Sequence, residues 1–158
     1  MSTRSNIALK LRHQDFKNRV TNLGEEFKGP YLQVYCHFDG YPEGVGLDLV
    51  KKNFTYDEAL EFILKGDRST CEDGKAYYEW RDESYDDVKP QELPAPEKHQ
   101  EYMYLLQENG NTGKMDVYLY LGVLPNSKMV FERLDTNDAG ELIHTNDKIY
   151  IYSLDGIY

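Results

Sequence analysis

The residues best suited to chemistry lie close together in segment 35–46. The segment reads Tyr-Cys-His-Phe-Asp-Gly-Tyr-Pro-Glu-Gly-Val-Gly and joins a predicted strand to a predicted helix through a turn rich in glycine and proline, a common location for functional sites. In an extended strand, His37 and Asp39 share a face with Tyr35. A carboxylate can fix the tautomer of a histidine and raise its basicity, which suits general acid–base catalysis. His37 and Asp39 are therefore candidate catalytic residues.

A structural interpretation of this segment is open as well. Asp39 can cap the turn and His37 can hydrogen-bond a backbone group, since no identified nucleophile completes a catalytic set. Cys36 points the opposite way from His37, toward the apolar side of the strand, where a free cysteine behaves as a small hydrophobe. Tyr35, Tyr41 and Glu43 are then candidate binding residues around the turn.

Gly44 and Gly46 begin the predicted helix, where backbone amides can hold an anion. They are therefore candidate binding residues, although the segment has neither the Lys and Ser/Thr of a phosphate-binding loop nor GxGxxG spacing. The two cysteines, Cys36 and Cys71, are too few for a four-ligand zinc site or a disulfide framework. We predict no metal and no cofactor.

Length and charge exclude several classes of function. The chain has 158 residues and a formal net charge of −10, and this length suits one domain over 1–158. No apolar stretch approaches the roughly 18 residues of a membrane span, and the N-terminal residues lack the apolar run of a signal peptide. We expect a cytoplasmic protein with no membrane partner. The acidic balance argues against direct binding to nucleic-acid phosphates.

The periodicity of apolar residues predicts a sheet with two helices. Alternation indicates strands at 3–12, 31–38, 76–80, 101–107, 115–121, 128–134 and 148–154. A short helix is predicted after Pro42, and Thr55 and Glu58 form a capping box that opens a second helix over 56–65. The fold class is α+β, an antiparallel or mixed sheet with two short helices packed on one face.

Segment 82–100 is acidic and contains three prolines. This composition predicts a long surface loop that is mobile.

The 14 tyrosines are the unusual feature of the composition. Alternation within the later strands separates aliphatic residues from six candidate binding tyrosines, which are Tyr102, Tyr104, Tyr118, Tyr120, Tyr150 and Tyr152. If the aliphatic side packs on the helices, the tyrosines form a flat binding surface. Alternatively, segment 82–100 covers them, or they are half-buried strand residues with hydrated hydroxyl groups.

Segment 35–46 resembles the hallmark of a family of small, functionally uncharacterised phage and prophage proteins, with a pattern of the form YCHWDGYPxxVG. The opening segment 2–7, segment 62–70, and more loosely 76–83 and 101–105 also resemble this family, so the resemblance covers about residues 2–121. Phe38 stands where the pattern has Trp. The resemblance implies a small accessory protein made in an infected bacterium, and it specifies no reaction.

The leading hypothesis is an acidic accessory protein that acts by protein–protein interaction and inhibits a host or defence protein in the host cytoplasm. The alternative is a small hydrolase or nucleotide-processing enzyme that uses His37 and Asp39 with Tyr41, Glu43 or Arg81. A nucleotide or small-molecule binder would use segment 35–46. A homodimer through the tyrosine face or an edge strand is also compatible with the sequence.

Overall fold

Seven strands form one mixed sheet in the computed structural model, which describes residues 2–16, 29–71 and 84–152. The strands are β1 (Ser5–Lys10), β2 (Tyr31–Cys36), β3 (Gln91–Leu93), β4 (Tyr102–Glu108), β5 (Met115–Val123), β6 (Lys128–Thr136) and β7 (Leu142–Tyr152). Their order across the sheet is β3-β2-β1-β4-β5-β6-β7. Only β1 and β4 run parallel to each other, and the other neighbouring pairs are antiparallel. The predicted α+β class is confirmed.

Residues 13–16 are helical, and the other helices follow β2. A π-helical turn (Pro42–Gly46) leads directly into α1 (Leu47–Lys52), and α2 (Tyr56–Leu64) begins after a short connection. The predicted capping box is confirmed, because the Thr55 side chain accepts a hydrogen bond from the Glu58 amide and the Glu58 carboxylate accepts one from the Thr55 amide. A further short helix, α3 (Tyr85–Val88), precedes β3.

Both faces of the sheet carry a buried apolar cluster. On the helix side, Leu49 of α1 and Ile63 of α2 pack with β1, β2, β4 and β5. The cluster on the opposite side consists of Ala8, Tyr31, Ala95, Met103, Leu105, Tyr118, Met129 and Phe131. Segment 94–100 is fastened over part of this opposite side, because the Gln33 side chain donates to the Glu97 carbonyl and accepts from the Glu97 amide. The Asn6 side chain likewise accepts from the His99 amide.

The predicted loop at 82–100 is wrong in its described part, 84–100. This part contains α3 and β3, and β3 pairs with the first half of β2. A capping box at Ser84 and Asp87 explains the helix in physical terms. Pro90 and Pro94 flank the three-residue strand, as is common at a sheet edge. The mobility of the segment stays a prediction. The predicted strand at 76–80 lies outside the described residues, as does Arg81.

The single tyrosine face is wrong. Tyr104 is fully buried on the helix side with Val117 and Leu119, and Tyr102 packs against the same cluster. Tyr118 and Tyr120 lie on the opposite side, with Met103 and Leu105. The reason is the pairing of the strands: Leu105 is the register partner of Tyr118, and paired residues share a face. Aliphatic residues of one strand therefore share a side with tyrosines of the next.

Candidate functional site

Segment 35–46 folds into a turn that ties three parts of the chain together. The Gly40 amide donates to the Thr3 carbonyl at 2.8 Å, and the Gly40 carbonyl accepts from the Tyr104 hydroxyl at 2.6 Å. Within the turn, the Val45 amide donates to the Asp39 carbonyl at 2.7 Å. The segment thereby joins the N-terminal residues before β1, the helix side of β4 and the π-helical turn.

At three glycines of this turn, an added Cβ atom would lie too close to neighbouring atoms. A Cβ atom on Gly40 would lie 2.8 Å from the Arg4 carbonyl carbon, and one on Gly44 would lie 2.2 Å from the Asp39 carbonyl oxygen. At Gly46 it would lie 3.0 Å from the Tyr104 ring. Close approach of backbone explains Gly40 and Gly44 without a ligand, and the Tyr104 and Leu134 side chains account for Gly46. The Gly44 amide donates to the Tyr41 carbonyl at 2.9 Å, so the predicted anion contact would have to compete with this bond.

His37 is half-buried and belongs to a short hydrogen-bonded chain. Its Nδ1 atom lies 2.6 Å from the Tyr35 hydroxyl, and its Nε2 atom lies 3.4 Å from the Ser2 hydroxyl. The Phe38 ring packs edge-on against the imidazole, with 4.4 Å between ring centroids. This chain of a hydroxyl, an imidazole and a phenol is the arrangement in the described structure that most resembles an activated nucleophile. Sequence reasoning placed Tyr35 on the correct side but did not connect Ser2 to His37.

Asp39 has mainly a backbone role in the described turn. Its φ of 58° lies in the left-handed region, where Asp and Asn are the best tolerated residues after Gly. Its carbonyl holds the Val45 amide, and its side chain is exposed. Glu43 and Tyr41 are exposed next to it. The backbone geometry therefore explains why Asp stands at position 39, independently of any catalytic role.

Cys36 and Cys71 are free and buried. Burial raises the pKa of the Cys36 thiol to about 11 and that of the Cys71 thiol to about 12. The Cys36 sulfur lies 3.6 Å from the Phe38 carbonyl oxygen and 3.7 Å from that of Ser69. Both thiols are protonated at neutral pH, which agrees with the structural interpretation of Cys36.

We expect a thiol reagent at pH 8 to label neither cysteine in the folded protein and to label both in urea. The unfolded chain releases the thiol proton near 9.0, whereas folded Cys36 holds it to about 11. Between these values the folded state binds more protons, so the free energy of unfolding falls as pH rises from about 9 to about 11. Absorbance of the released reagent and urea titrations across this range test both statements, and rapid labelling of folded Cys36 at pH 8 would contradict them.

A buried arginine lies beside the same strand and was missed by sequence analysis. The Arg68 side chain donates to the carbonyls of Gly66 and Phe62, with its guanidinium 4.0 Å from the centre of the Phe62 ring. Its Nη1 atom has no hydrogen-bond partner among the described residues. Burial lowers the pKa of Arg68 to about 10, so the group is charged at neutral pH. No periodicity of segment 62–70 distinguishes Arg68 from an exposed cation.

A cleft at the other end of the helix side has a volume of about 530 Å³. Within its lining, Arg133 bridges Asp135 at 3.1 Å and Asp147 at 2.9 Å. Among the described residues, no cluster of His, Cys, Asp and Glu could hold a metal ion. None of the described helices is long and apolar enough to cross a membrane.

Several apolar side chains of β5, β6 and β7 are exposed on the helix side. Leu121, Tyr150 and Tyr152 are 48%, 53% and 54% exposed, and Val130 is half-buried. We call Leu121, Val130, Tyr150 and Tyr152 the uncovered strip. Tyr41 of the turn 35–46 is 41% exposed. Two of the six predicted binding tyrosines belong to it, whereas Tyr104 and Tyr118 are buried and Tyr102 and Tyr120 are partly buried.

Strand pairing places the strip on one side of the sheet. Ile149 and Ile151 pack on the opposite side, so Tyr150 and Tyr152, which alternate with them, face the helix side. Val130 is the register partner of Tyr150. Leu121 lies in the bulge between Tyr120 and Gly122, and alternation from Tyr120 directs it to the helix side.

No family model, curated protein or solved structure matches this chain.

Proposed function

We propose that the chain is a small acidic accessory protein that acts by protein–protein interaction, with the uncovered strip as its binding surface. The observation that carries the proposal is the exposure of three large apolar side chains, Leu121, Tyr150 and Tyr152, on the helix side of β5 and β7. On the rest of this side of the sheet, the strand residues are buried beneath α1 and α2. Contiguous exposed apolar surface of this kind is typical of interaction sites.

The composition of the strip supports the same function. Two of its four members are tyrosines, and tyrosine is enriched at protein interfaces because a rigid amphipathic ring loses little conformational entropy on binding. Their exposed rings have room to contact a partner, unlike the buried ring of Tyr104. The strip is also built on strands, which hold its side chains in a fixed geometry.

The residues of the turn 35–46 have structural roles, which supports a binding surface elsewhere. Gly40 and Gly44 are explained by backbone contacts and Gly46 by the Tyr104 ring, and the Asp39 carbonyl accepts a hydrogen bond within the turn. A second candidate function, a small hydrolase, is favoured by the hydrogen-bonded chain of Ser2, His37 and Tyr35. Such catalysis would also need hydrogen-bond donors directed at the developing oxyanion.

The partner proposed here is a host or defence protein in the cytoplasm of an infected bacterium. The resemblance to phage proteins supports this context. The net charge of −10 favours a partner with a basic surface, such as a protein that normally binds DNA or RNA. Competition with nucleic acid for such a protein would follow from the charge alone, and it requires no direct contact between this chain and nucleic acid.

We expect the double variant Leu121→Asp/Tyr150→Asp to reduce capture of a stoichiometric partner from bacterial lysate at least about tenfold, because a carboxylate in an apolar contact must be desolvated without a partner charge. The matched control is Ile143→Asp, which places the same carboxylate at an exposed apolar position of β7 outside the strip. Affinity capture with quantitative mass spectrometry measures the retained partner for each variant.

A second pair of variants separates the two candidate functions. His37→Ala and Asp39→Asn should retain the partner if the strip is the binding surface, and asparagine tolerates the left-handed backbone at position 39. Loss of the partner with these variants, together with retention by Leu121→Asp/Tyr150→Asp, would reject the strip and favour a site at the turn 35–46.

A further inference from the structure

We propose that a cavity on the side of the sheet opposite the helices binds a small neutral molecule rich in hydroxyl groups, such as a single sugar. The cavity has a volume of about 250 Å³ and is walled by residues of β1, β2, β3, α3 and the segment 94–100. The uncovered strip lies on the other side of the sheet, on β5, β6 and β7. The proposal therefore adds a ligand site to the proposed protein interaction and does not depend on it.

Polar side chains form the floor of this cavity, beside the apolar cluster of the same side. Asn6 and Gln33 are only 4% and 1% exposed. Gln33 is the register partner of Ala8, which belongs to that cluster, and Asn6 is the register partner of Tyr35. Paired residues share a face, and Tyr35 alternates onto the face of Gln33. Burial of such polar groups is unfavourable unless each one finds a hydrogen-bond partner.

The floor contains one buried donor that the fold does not use. The Asn6 Oδ1 atom accepts from the His99 amide at 2.9 Å, and this bond fixes which atom of the Asn6 amide is oxygen, because a backbone amide can only donate. The Asn6 Nδ2 atom donates to no residue that the structure describes. Gln33, in contrast, uses both its oxygen and its nitrogen to hold Glu97. Fastening the segment 94–100 thus explains Gln33 and the Asn6 oxygen, and it leaves the Asn6 nitrogen for an acceptor in the cavity.

The walls offer further hydrogen-bonding groups to the same ligand. The side chains of Gln91 and Gln100 line the cavity and form no hydrogen bond with another described residue. The Asp87 carboxylate accepts from Ser84 through Oδ2, and no described group donates to its Oδ1 atom. A ligand that satisfies this lining must both donate and accept hydrogen bonds, and a hydroxyl group does both.

Charge, polarity and size narrow the class of ligand. Two carboxylates, those of Asp67 and Asp87, and one ammonium, that of Lys89, belong to the lining, so an anionic ligand would be repelled. Val34 is the only apolar residue among the ten that line the cavity, so apolar burial contributes little to binding. The volume corresponds to about eight water molecules at about 30 Å³ each, which is comparable with one sugar ring and its hydroxyl groups.

Two-dimensional NMR spectra of the nitrogen-labelled full chain test the proposal. The probes are D-glucose, D-galactose and D-ribose, each titrated to about 50 mM because a small polar ligand gains little binding energy per atom. At least one of them should shift the backbone amide signals of Asn6, Gln33, His99 and Gln100 in a saturable manner. The phosphate ester of the same sugar should bind at least about threefold more weakly, since the lining has an excess of negative charge.

Two variants separate this cavity from non-specific binding. Asn6→Asp keeps an oxygen for the His99 amide and removes the Nδ2 donor, so it should weaken sugar binding at least about fivefold. Gln100→Ala removes one wall group, leaves the floor intact and should weaken binding about threefold. The matched control is Gln107→Ala, at the far end of β4 and outside this cavity, which should bind the sugar as the wild-type protein does.

The proposal is overturned if none of the three sugars shifts these amide signals. It is equally overturned if the shifts lie elsewhere on the protein, or if Gln100→Ala binds the sugar as tightly as Gln107→Ala. The spectrum of each variant without sugar shows whether it is folded, and Gln100→Ala decides the outcome if Asn6→Asp is not. None of these results changes the expected capture of a partner by the uncovered strip.

Discussion

Gly44→Ala is expected to lower the free energy of unfolding by about 3 kcal/mol. The added Cβ atom would lie 2.2 Å from the Asp39 carbonyl oxygen, and its other near neighbours also belong to Asp39. The nearest atom belongs to the backbone of a turn that is closed by the hydrogen bond from Val45 to Asp39. The movement of a flexible side chain therefore cannot relieve the clash. The turn must open, and opening it disturbs the start of α1. Urea denaturation followed by circular dichroism measures the change.

Gly110→Ala is the matched control for this substitution. A Cβ atom on Gly110 meets no heavy atom within 4 Å, so its free energy of unfolding should change by less than about 0.5 kcal/mol. Equal stability of the two variants would show that the turn 35–46 adapts freely, and its glycines would then need another explanation. A large loss at Gly44 alone assigns these glycines to folding.

The elements with strong local signals could be predicted from the sequence. Alternation located the six longer strands because apolar residues alternate along them, and the capping box located the start of α2 because its two hydrogen bonds involve only Thr55 and Glu58. β3 was missed because a three-residue edge strand between prolines carries no periodic pattern. The π-helical turn (Pro42–Gly46) was predicted as ordinary helix, since the hydrogen bond from the Val45 amide to the Asp39 carbonyl leaves no recognisable pattern in the sequence.

The candidate site was less predictable because side-chain contacts between strands depend on register. Alternation within β4 and within β5 is correct, but the sequence does not reveal that Leu105 pairs with Tyr118. One residue of shift between two strands exchanges the faces of every side chain. The strip could not be predicted for the same reason, since it joins residues of three strands, β5, β6 and β7, whose register the sequence does not reveal. Tyr150 and Tyr152 belong to the strip because they are exposed, and they are not part of a continuous tyrosine face.

Arg68→Ala is the second substitution with a large expected effect, a loss of about 4 kcal/mol in the free energy of unfolding. The guanidinium satisfies the Phe62 and Gly66 carbonyls at the end of α2, and its removal leaves both without these donors inside the protein. The side chain is also among the largest that are fully buried, so alanine leaves a cavity against the Phe62 ring.

Arg133→Ala is the matched control, because this arginine has two carboxylate partners but a side chain that is 26% exposed. Ion pairs near the surface are screened by water, so its loss should cost no more than about 1 kcal/mol. Arg68 instead donates to carbonyl groups at the end of a helix, and no described carboxylate forms an ion pair with it. If the two variants lose equal stability, burial is not what makes Arg68 important. If Arg68→Ala alone is strongly destabilised, the end of α2 and the strand beside it depend on a cation that the sequence alone presents as an ordinary surface residue.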